Sequence, residues 1–397
     1  MLNRRLIALA LPLAAGALLV TACGSSSSSG SGSKPTYTIG YQGPLTGDNS
    51  ALGINEANAV QLAINQANAS GNLPFTLQYK SADDQGDPAQ APAAAQQLLG
   101  ISNLVAVVGP AFSGATKAVG ATYAGKSVTL VSPSATNPQL TSLGFTSFFR
   151  VVPPDQDQGS LAADYLVKAL KAKTVYSVDD KSDYGTGLSG VLDSQLQKDG
   201  ATVTHVGIAP TKNYQALAGT IAQAKPDAVY YSGYYSDYAL FLKALNSQGY
   251  QGINMSGDGS NDDKLIQLAG QAATNVYLTC PCADPNVDPS QAQFVSAYTA
   301  LAHQPPGTYS AEAYDATNAI ISAMKGLGAT VTPATLLAAF KTVNYTGITK
   351  DIKFSANGEV VGEAVYVYQV QNGKRKVLGQ IPTLLAGGGS SASPSSS

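Results

Sequence analysis

The chain has 397 residues, with 23 Lys or Arg against 25 Asp or Glu and a formal net charge of −2. A nucleic-acid partner demands a basic face that displaces counterions from phosphates, and 12% charged residues with no excess of cations exclude that class. Hydrophobic residues make up 44% of the chain, mean hydropathy is near zero, and no second apolar run of about 20 residues follows the first, so nothing beyond the N-terminal run reads as membrane-spanning. That first run is the earliest feature met along the chain. Arg4 and Arg5 precede apolar residues from Leu6 to Val20, and the run ends in Val20-Thr21-Ala22-Cys23, small residues leading into a cysteine. The run is too short for a mature span, and a cysteine in that place is an acceptor for a diacylglyceryl thioether. The reading is a lipoprotein signal peptide over 1–22 and lipidation at Cys23. A Gly/Ser stretch then forms a flexible tether over 23–34.

From residue 34 to about 386 the chain is long enough for two lobes, each with its own core. Short β-branched or aromatic runs at Thr36–Tyr41, Phe75–Tyr79, Leu104–Val108 and Val128–Val131 predict strands, with helices over Glu56–Ala69, Pro88–Leu99 and Ser113–Ala124 between them. The alternation restarts after Pro153-Pro154. A helix is predicted over Gly159–Ala172, then strands at Thr174–Val178, Thr202–Val206, Ala228–Tyr231 and Ile253–Met255. Helices at Gly187–Lys198, Tyr214–Ala224 and Asp237–Gln248 separate those strands. Two α/β halves in tandem imply two doubly wound, mostly parallel sheets facing each other across a cleft, with the ligand at the carboxyl ends of the strands. The C-terminal stretch, rich in Gly, Ser and Ala, reads as a disordered tail over 384–397.

Several patterns of catalytic chemistry fail on context. Gly120 to Ser127 matches G-x-x-x-x-G-K-S, but a phosphate loop follows a strand and opens a helix, whereas this segment closes the Ser113–Ala124 helix, with Gly125 at the expected C′ position and a strand after it. No G-x-S-x-G elbow follows a strand, and the two histidines, His205 and His303, lack partners for a triad. The acid pairs Asp83-Asp84 and Asp179-Asp180 sit at strand ends, where helix capping and loop solvation account for them. Cys280 and Cys282 flank Pro281. They read as a local disulfide or as two free thiols, since zinc would need two further ligands. No cofactor, metal or catalytic residue is expected.

Loop residues at strand ends suit a small zwitterion better. Ser113, expected as the N-cap after Gly109-Pro110-Ala111-Phe112, offers a hydroxyl and free N–H groups to a carboxylate. The turn Ser132-Pro133-Ser134-Ala135-Thr136 offers the Thr136 hydroxyl and a backbone carbonyl. In the second half Asp258 suits an ammonium, and Tyr184 and Tyr234 suit an apolar side chain.

At these residues the chain resembles the leucine/isoleucine/valine-binding proteins, the extracytoplasmic receptors of branched-chain amino-acid ABC importers. The resemblance runs from about Thr36 to Ile381 and is closest at Ile39–Gly53, Asp83–Pro88, Ser132–Thr141, Asp183–Leu188 and Tyr230–Tyr235. It implies a two-lobed type I periplasmic-binding-protein fold with lobe 1 over 35–153 and 281–361 and lobe 2 over 154–280 and 362–383. It implies further that Ser113 and Thr136 take the ligand carboxylate. The backbone carbonyl of Ser134 and the acid Asp258 take the ammonium, with Ala135 in the same turn, and Tyr184 and Tyr234 close over the ligand. Two departures stand out: Leu52 replaces a frequent aromatic, and Asp258 replaces a frequent Glu. A family disulfide between the positions of Gly86 and Phe112 is missing on both sides, which leaves Phe112 to line the pocket. The expected function is a monomeric, membrane-anchored solute receptor that delivers an amino acid to an ABC permease and its ATPase. The alternative on the same fold is a sensory or uptake protein for a small amide, urea or peptide-like ligand.

Overall fold

The computed structural model describes residues 34–362 and 364–387. The leader, Cys23 and the Gly/Ser run through Ser33, together with the tail from residue 388, lie outside the described residues. Lys34, expected in the tether, donates a hydrogen bond from Nζ to the Leu73 carbonyl at 2.6 Å.

The first sheet is built from β1 (Thr36–Gly43), β2 (Thr76–Asp83), β3 (Leu104–Val108), β4 (Thr129–Ser132) and β5 (Phe148–Arg150), in the order β2-β1-β3-β4-β5. All four pairings are parallel, with Thr36 opposite Thr76, Ala106 opposite Thr129 and Leu130 opposite Phe148. Every residue of β3 is buried, as a continuous apolar run requires when helices cover both faces of a parallel sheet. The intervening helices are α1 (Ser50–Ala69), α2 (Ala91–Leu99) and α3 (Ser113–Ala124).

The chain then crosses over through Val151 to Pro154 and enters α4 (Asp155–Asp164), which runs on into a π-helical turn at Tyr165–Ala169. From there follow β6 (Thr174–Asp179), α5 (Asp183–Lys198), β7 (Thr202–Gly207), α6 (Gln215–Ala224), β8 (Ala228–Ser232), α7 (Tyr235–Ser247), β9 (Ile253–Ser256), α8 (Asp263–Ala269) and β10 (Tyr277–Cys280). A second crossing after Cys280 leads to α9 (Ala292–Ala302), α10 (Ser310–Leu327), α11 (Pro333–Phe340) and the small antiparallel pair β11 (Tyr345–Thr346) and β12 (Asp351–Ile352). These pack on the first sheet, because Tyr298, Ile320, Leu336 and Ile352 share one core with Ile39, Val60 and Val108. A third crossing beyond Val360 returns the chain to the second sheet as β13 (Tyr366–Gln371), β14 (Lys374–Gln380) and α12 (Ile381–Leu385).

The second sheet has the order β14-β13-β10-β9-β8-β6-β7. It is parallel from β7 through β10 and antiparallel at β10-β13 and β13-β14. The fold is therefore α/β with two lobes.

Four differences from the sequence reading have physical causes. Helix α1 begins at Ser50 rather than Glu56, because Leu52, Gly53 and Asn55 are buried and only a glycine at 53 avoids collision with the Pro44 carbonyl. Helix α4 begins at Asp155, directly after Pro154, four residues earlier than the apolar spacing indicates. Gly125 closes α3 in a right-handed conformation, and the left-handed residue of the α3-β4 turn is Ser127 (φ 55°). Leu384 and Leu385, expected in the tail, end α12 and pack beside Ile381 on a core of the second lobe. Cys280 and Cys282 are joined in a disulfide at the second crossing.

Candidate functional site

The carboxyl ends of the two sheets face one another around a cavity of about 10 Å³. That is room for about one water, so the lining groups of the two lobes lie close against one another. The first lobe supplies Leu52 and Glu56, one helical turn apart on α1, with Ala111, Phe112, Ser113 and Ser134 from the ends of β3 and β4. The second supplies Tyr184 at the start of α5, Tyr234 ahead of α7, and Asp258 with Gly259 after β9. Tyr309, at the entry to α10, completes the wall.

Each expected residue can now be placed. Phe112, not Ser113, is the N-cap of α3, since its extended backbone ends where the helix begins and its carbonyl accepts the Thr116 N–H at 2.9 Å. Ser113 is the first helical residue, and its Oγ accepts the Asn137 N–H at 3.2 Å. Ser134 donates its hydroxyl to the Ala111 carbonyl at 2.7 Å. Ala135 and Thr136 lie just outside the lining. The Ala135 carbonyl accepts from Arg150 Nη1 at 3.1 Å, and the Thr136 carbonyl accepts the Asp155 N–H at 2.8 Å. The buried Thr136 hydroxyl lies beside the Asp155 carboxyl. Phe112 stacks on Tyr234 across the cleft with centroids 4.2 Å apart, and Tyr184 meets Tyr234 at 5.3 Å. Gly86 lies against the Phe112 ring with no room for a Cβ.

Asp258 is 3% exposed and is held from both lobes. Tyr184 donates to Oδ1 at 2.8 Å, and Tyr309 donates to Oδ2 at 2.6 Å. Burial pushes its carboxyl up, while the two tyrosine hydroxyls oppose that rise. The Tyr184 oxygen also accepts the Gly259 N–H at 3.1 Å, so the ring is fixed at its polar end. Further interlobe contacts surround this pair: the Ala51 N–H bonds Tyr235 Oη at 3.2 Å, Asn55 Nδ2 bonds Asp262 at 3.3 Å, and Lys117 pairs with Asp183 at 2.6 Å.

Three acidic or phenolic groups at the site escaped the sequence reading. Asp155 is fully buried, and burial together with the nearby Asp258 holds its carboxyl well above the carboxylate range, with the Thr136 hydroxyl opposing the rise. Glu56 is fully buried, accepts the Tyr41 hydroxyl at 3.1 Å on Oε2, and is pushed up to about 8 by desolvation. Tyr309 comes from a distant part of the chain. A signal existed for Glu56, a lone acid among Ala57, Ala59, Val60 and Ala63 on the buried face of a helix. Asp155 lies ahead of the helix predicted from Gly159, and nothing local marked Tyr309. Among the described residues the lining holds no Lys, Arg or His, and no group of three His, Cys, Asp or Glu could bind a metal.

Two lobes of doubly wound α/β structure, three crossings between them and a small cavity with two buried acids at the strand ends define a solute-binding protein of the two-lobed type. The chain belongs to the periplasmic binding protein family, whose profile matches residues 36–375. An amino acid binding protein of Pseudomonas aeruginosa is 32% identical over 296 residues, covering 73% of this chain and 79% of that protein. The Leu/Ile/Val-binding protein BraC3 of Rhizobium johnstonii is 30% identical over 342 residues, covering 85% and 92%. Among solved structures, the branched-chain amino acid substrate-binding protein LivJ of Streptococcus pneumoniae in complex with isoleucine superimposes with a TM-score of 0.79 at 28% identity, covering 87% of this chain and 99% of that one. No helix among the described residues is long and apolar enough to cross a membrane.

Proposed function

We propose that this protein is the extracytoplasmic, lipid-anchored substrate-binding component of an ABC importer, and that it captures a branched-chain or other aliphatic amino acid between its lobes. The observation that carries the reading is Asp258: a buried carboxyl, oriented by tyrosines from both lobes, in a cavity whose lining has no cation to pair with it. A buried acid so placed suits a ligand ammonium. The names of the relatives point to the same solute class. Attachment through Cys23 keeps the monomeric receptor at the membrane, where a permease and its ATPase take the ligand.

In the proposed cycle the first lobe holds the ligand carboxylate at the start of α3, through Ser113 and Thr136, and the backbone carbonyl of Ser134 faces the ammonium. Closure then brings Asp258 to the ammonium and lays Tyr184 and Tyr234 over the side chain. A ligand shifts the open and closed forms only by its differential affinity for them, so the second-lobe contacts set both affinity and closure. Calorimetric titration of the protein, freed of carried-over ligand by unfolding and refolding, with leucine, isoleucine, valine, alanine, phenylalanine, acetamide and urea tests the reading. Saturable binding of an aliphatic amino acid is expected. Silence toward every amino acid with a response to an amide overturns it.

A further inference from the structure

The turn that follows β4 is held from behind by an arginine. Arg150, the last residue of β5, is fully buried. Its Nη1 donates to two carbonyls of that turn, Ala135 at 3.1 Å and Asn137 at 2.8 Å, and the carbonyl between them, that of Thr136, accepts the Asp155 N–H at 2.8 Å. Three consecutive carbonyls are thus drawn toward Arg150 and the first crossing. A trans peptide sets its N–H opposite its carbonyl, so the N–H groups of Thr136 and Asn137 point the other way. That side of the turn is the side of the cavity, because the Asn137 N–H reaches the hydroxyl of Ser113, a lining residue, at 3.2 Å.

The rest of the guanidinium is committed to Glu359, which lies just before the third crossing. Nε donates to Oε2 at 2.6 Å and Nη2 to Oε1 at 2.5 Å, a two-pronged pair that fixes the plane of the guanidinium. Thr141 donates to the same Oε1 at 2.7 Å, so Glu359 is itself oriented by the short helical turn Pro138–Ser142 that continues from Asn137. Neither Arg150 nor Glu359 belongs to the cavity lining. We propose that Arg150 is a positioning residue for the carboxylate half of the site: oriented by Glu359, it holds the carbonyl side of the Ala135–Asn137 turn so that the N–H side, with Thr136 and Ser113, is presented to the ligand carboxylate. The assignment rests on the amino-acid reading above and deepens it. A buried ion pair adds little net stability over an apolar replacement, whereas a fork that bonds two carbonyls and a carboxylate at once fixes the shape of a turn. The same turn reaches the second lobe, where Asn137 Nδ2 donates to the Asp183 carbonyl at 2.5 Å, so its position bears on closure as well.

The test titrates the ligand-stripped protein with leucine against leucinamide and valine against valinamide, at about pH 6, where the α-amino groups stay charged. Each amide keeps the ammonium and the side chain and loses only the carboxylate charge. The wild type is expected to prefer the amino acid. In Arg150→Lys, which keeps the charge but cannot bond both carbonyls and Glu359 together, that preference is expected to shrink at least about tenfold, since displacing a binding group by about 1 Å costs up to about a hundredfold. Glu359→Gln, which leaves a neutral acceptor in place of a charged one, is expected to shrink it about three- to tenfold. The double variant is expected to do no more than Arg150→Lys alone, because both changes act through one turn. The Glu359 side chain is 19% exposed, so its variant keeps the test decisive where Arg150→Lys does not fold. An arginine that merely braces the hinge would lower the affinity for amino acid and amide together. That unchanged ratio, in either folded variant, overturns the role of Arg150 and leaves the amino-acid receptor standing. A wild type that binds the amides as tightly as the amino acids, or binds no amino acid, overturns the amino-acid reading beneath it.

Discussion

Two buried carboxyls face one cavity from opposite lobes, and the protein treats them differently. Asp258, on the second lobe, has each oxygen occupied by a tyrosine hydroxyl, one from its own lobe and one from the other. Glu56, on the first lobe, meets one tyrosine hydroxyl and the Ser134 side chain. Both are removed from water, and in both burial is the main cause that raises the carboxyl. The contrast separates two roles for a buried acid. An acid held in place before the ligand arrives contributes affinity with little reorganisation, whereas a buried acid that keeps its proton to about pH 8 offers a ligand no charge at neutral pH and acts on stability instead.

The largest expected effect comes from removing the held acid. Asp258→Ala should weaken amino-acid binding by about 2–5 kcal/mol, as expected when one member of a buried charge pair is truncated. Titration calorimetry reads the loss, and an unchanged dissociation constant would remove Asp258 from the ammonium site.

The next effect is on stability against pH. Glu56 is raised from 4.5 to about 8, and Glu312 from 4.5 to about 7 by burial, with Lys350 opposing and Asp315 adding to the rise. Between the ordinary value and the raised one, the folded state keeps a proton that the unfolded chain has lost. Each group therefore lowers the stability of the ligand-free protein by up to about 1.4 kcal/mol per pH unit across its window, and the decline levels off above the raised value. Melting temperature should fall from about pH 5 toward 8, and Glu56→Gln should flatten the last unit of that fall, after Glu312 has finished ionising. A melting temperature that rises over this range contradicts the assignment.

A smaller effect tests the link between the lobes. Tyr309→Phe removes the donor that the first-lobe side offers to Asp258 and should cost about 1.5–3 kcal/mol, the range for a hydrogen bond to a charged group. It should also shift small-angle scattering of the ligand-free protein toward a more open form, which Tyr184→Phe, acting within one lobe, should not do. The smallest effect is at the rim, where Lys117 and Asp183 pair at 2.6 Å with the lysine side chain 48% exposed. Lys117→Ala should change affinity by less than about 1 kcal/mol and lose even that at high salt.

Much of this architecture was legible because periodicity and strand ends are local properties. The fully apolar Leu104–Val108 run and the alternation of strand and helix through Met255 are read without knowledge of packing, and Phe112, Ser113, Ser134, Tyr184, Tyr234 and Asp258 all follow strands so identified. Two kinds of feature were not legible. The chain after Met255 yields no assignment, because β10, β13 and β14 are short or antiparallel pieces whose place in the second sheet depends on crossings between lobes. Tyr309 and Asp155 become part of the site only through contacts with Asp258, 51 residues away in the case of Tyr309. The early start of α1 hides in the Gly53 approach to Pro44, and that turn decides whether Leu52 and Glu56 reach the cavity at all. Ser113 was displaced by one position, because its neighbour Phe112 adopts the extended cap conformation although its side chain cannot cap.

The most direct test is a crystal structure of the protein bound to the amino acid that titrates most tightly. The account predicts one ligand in the cleft, its ammonium within hydrogen-bond distance of an Asp258 carboxyl oxygen and its carboxylate at the first turn of α3. A ligand bound with its carboxylate toward Asp258, or seated away from the cleft, would contradict it.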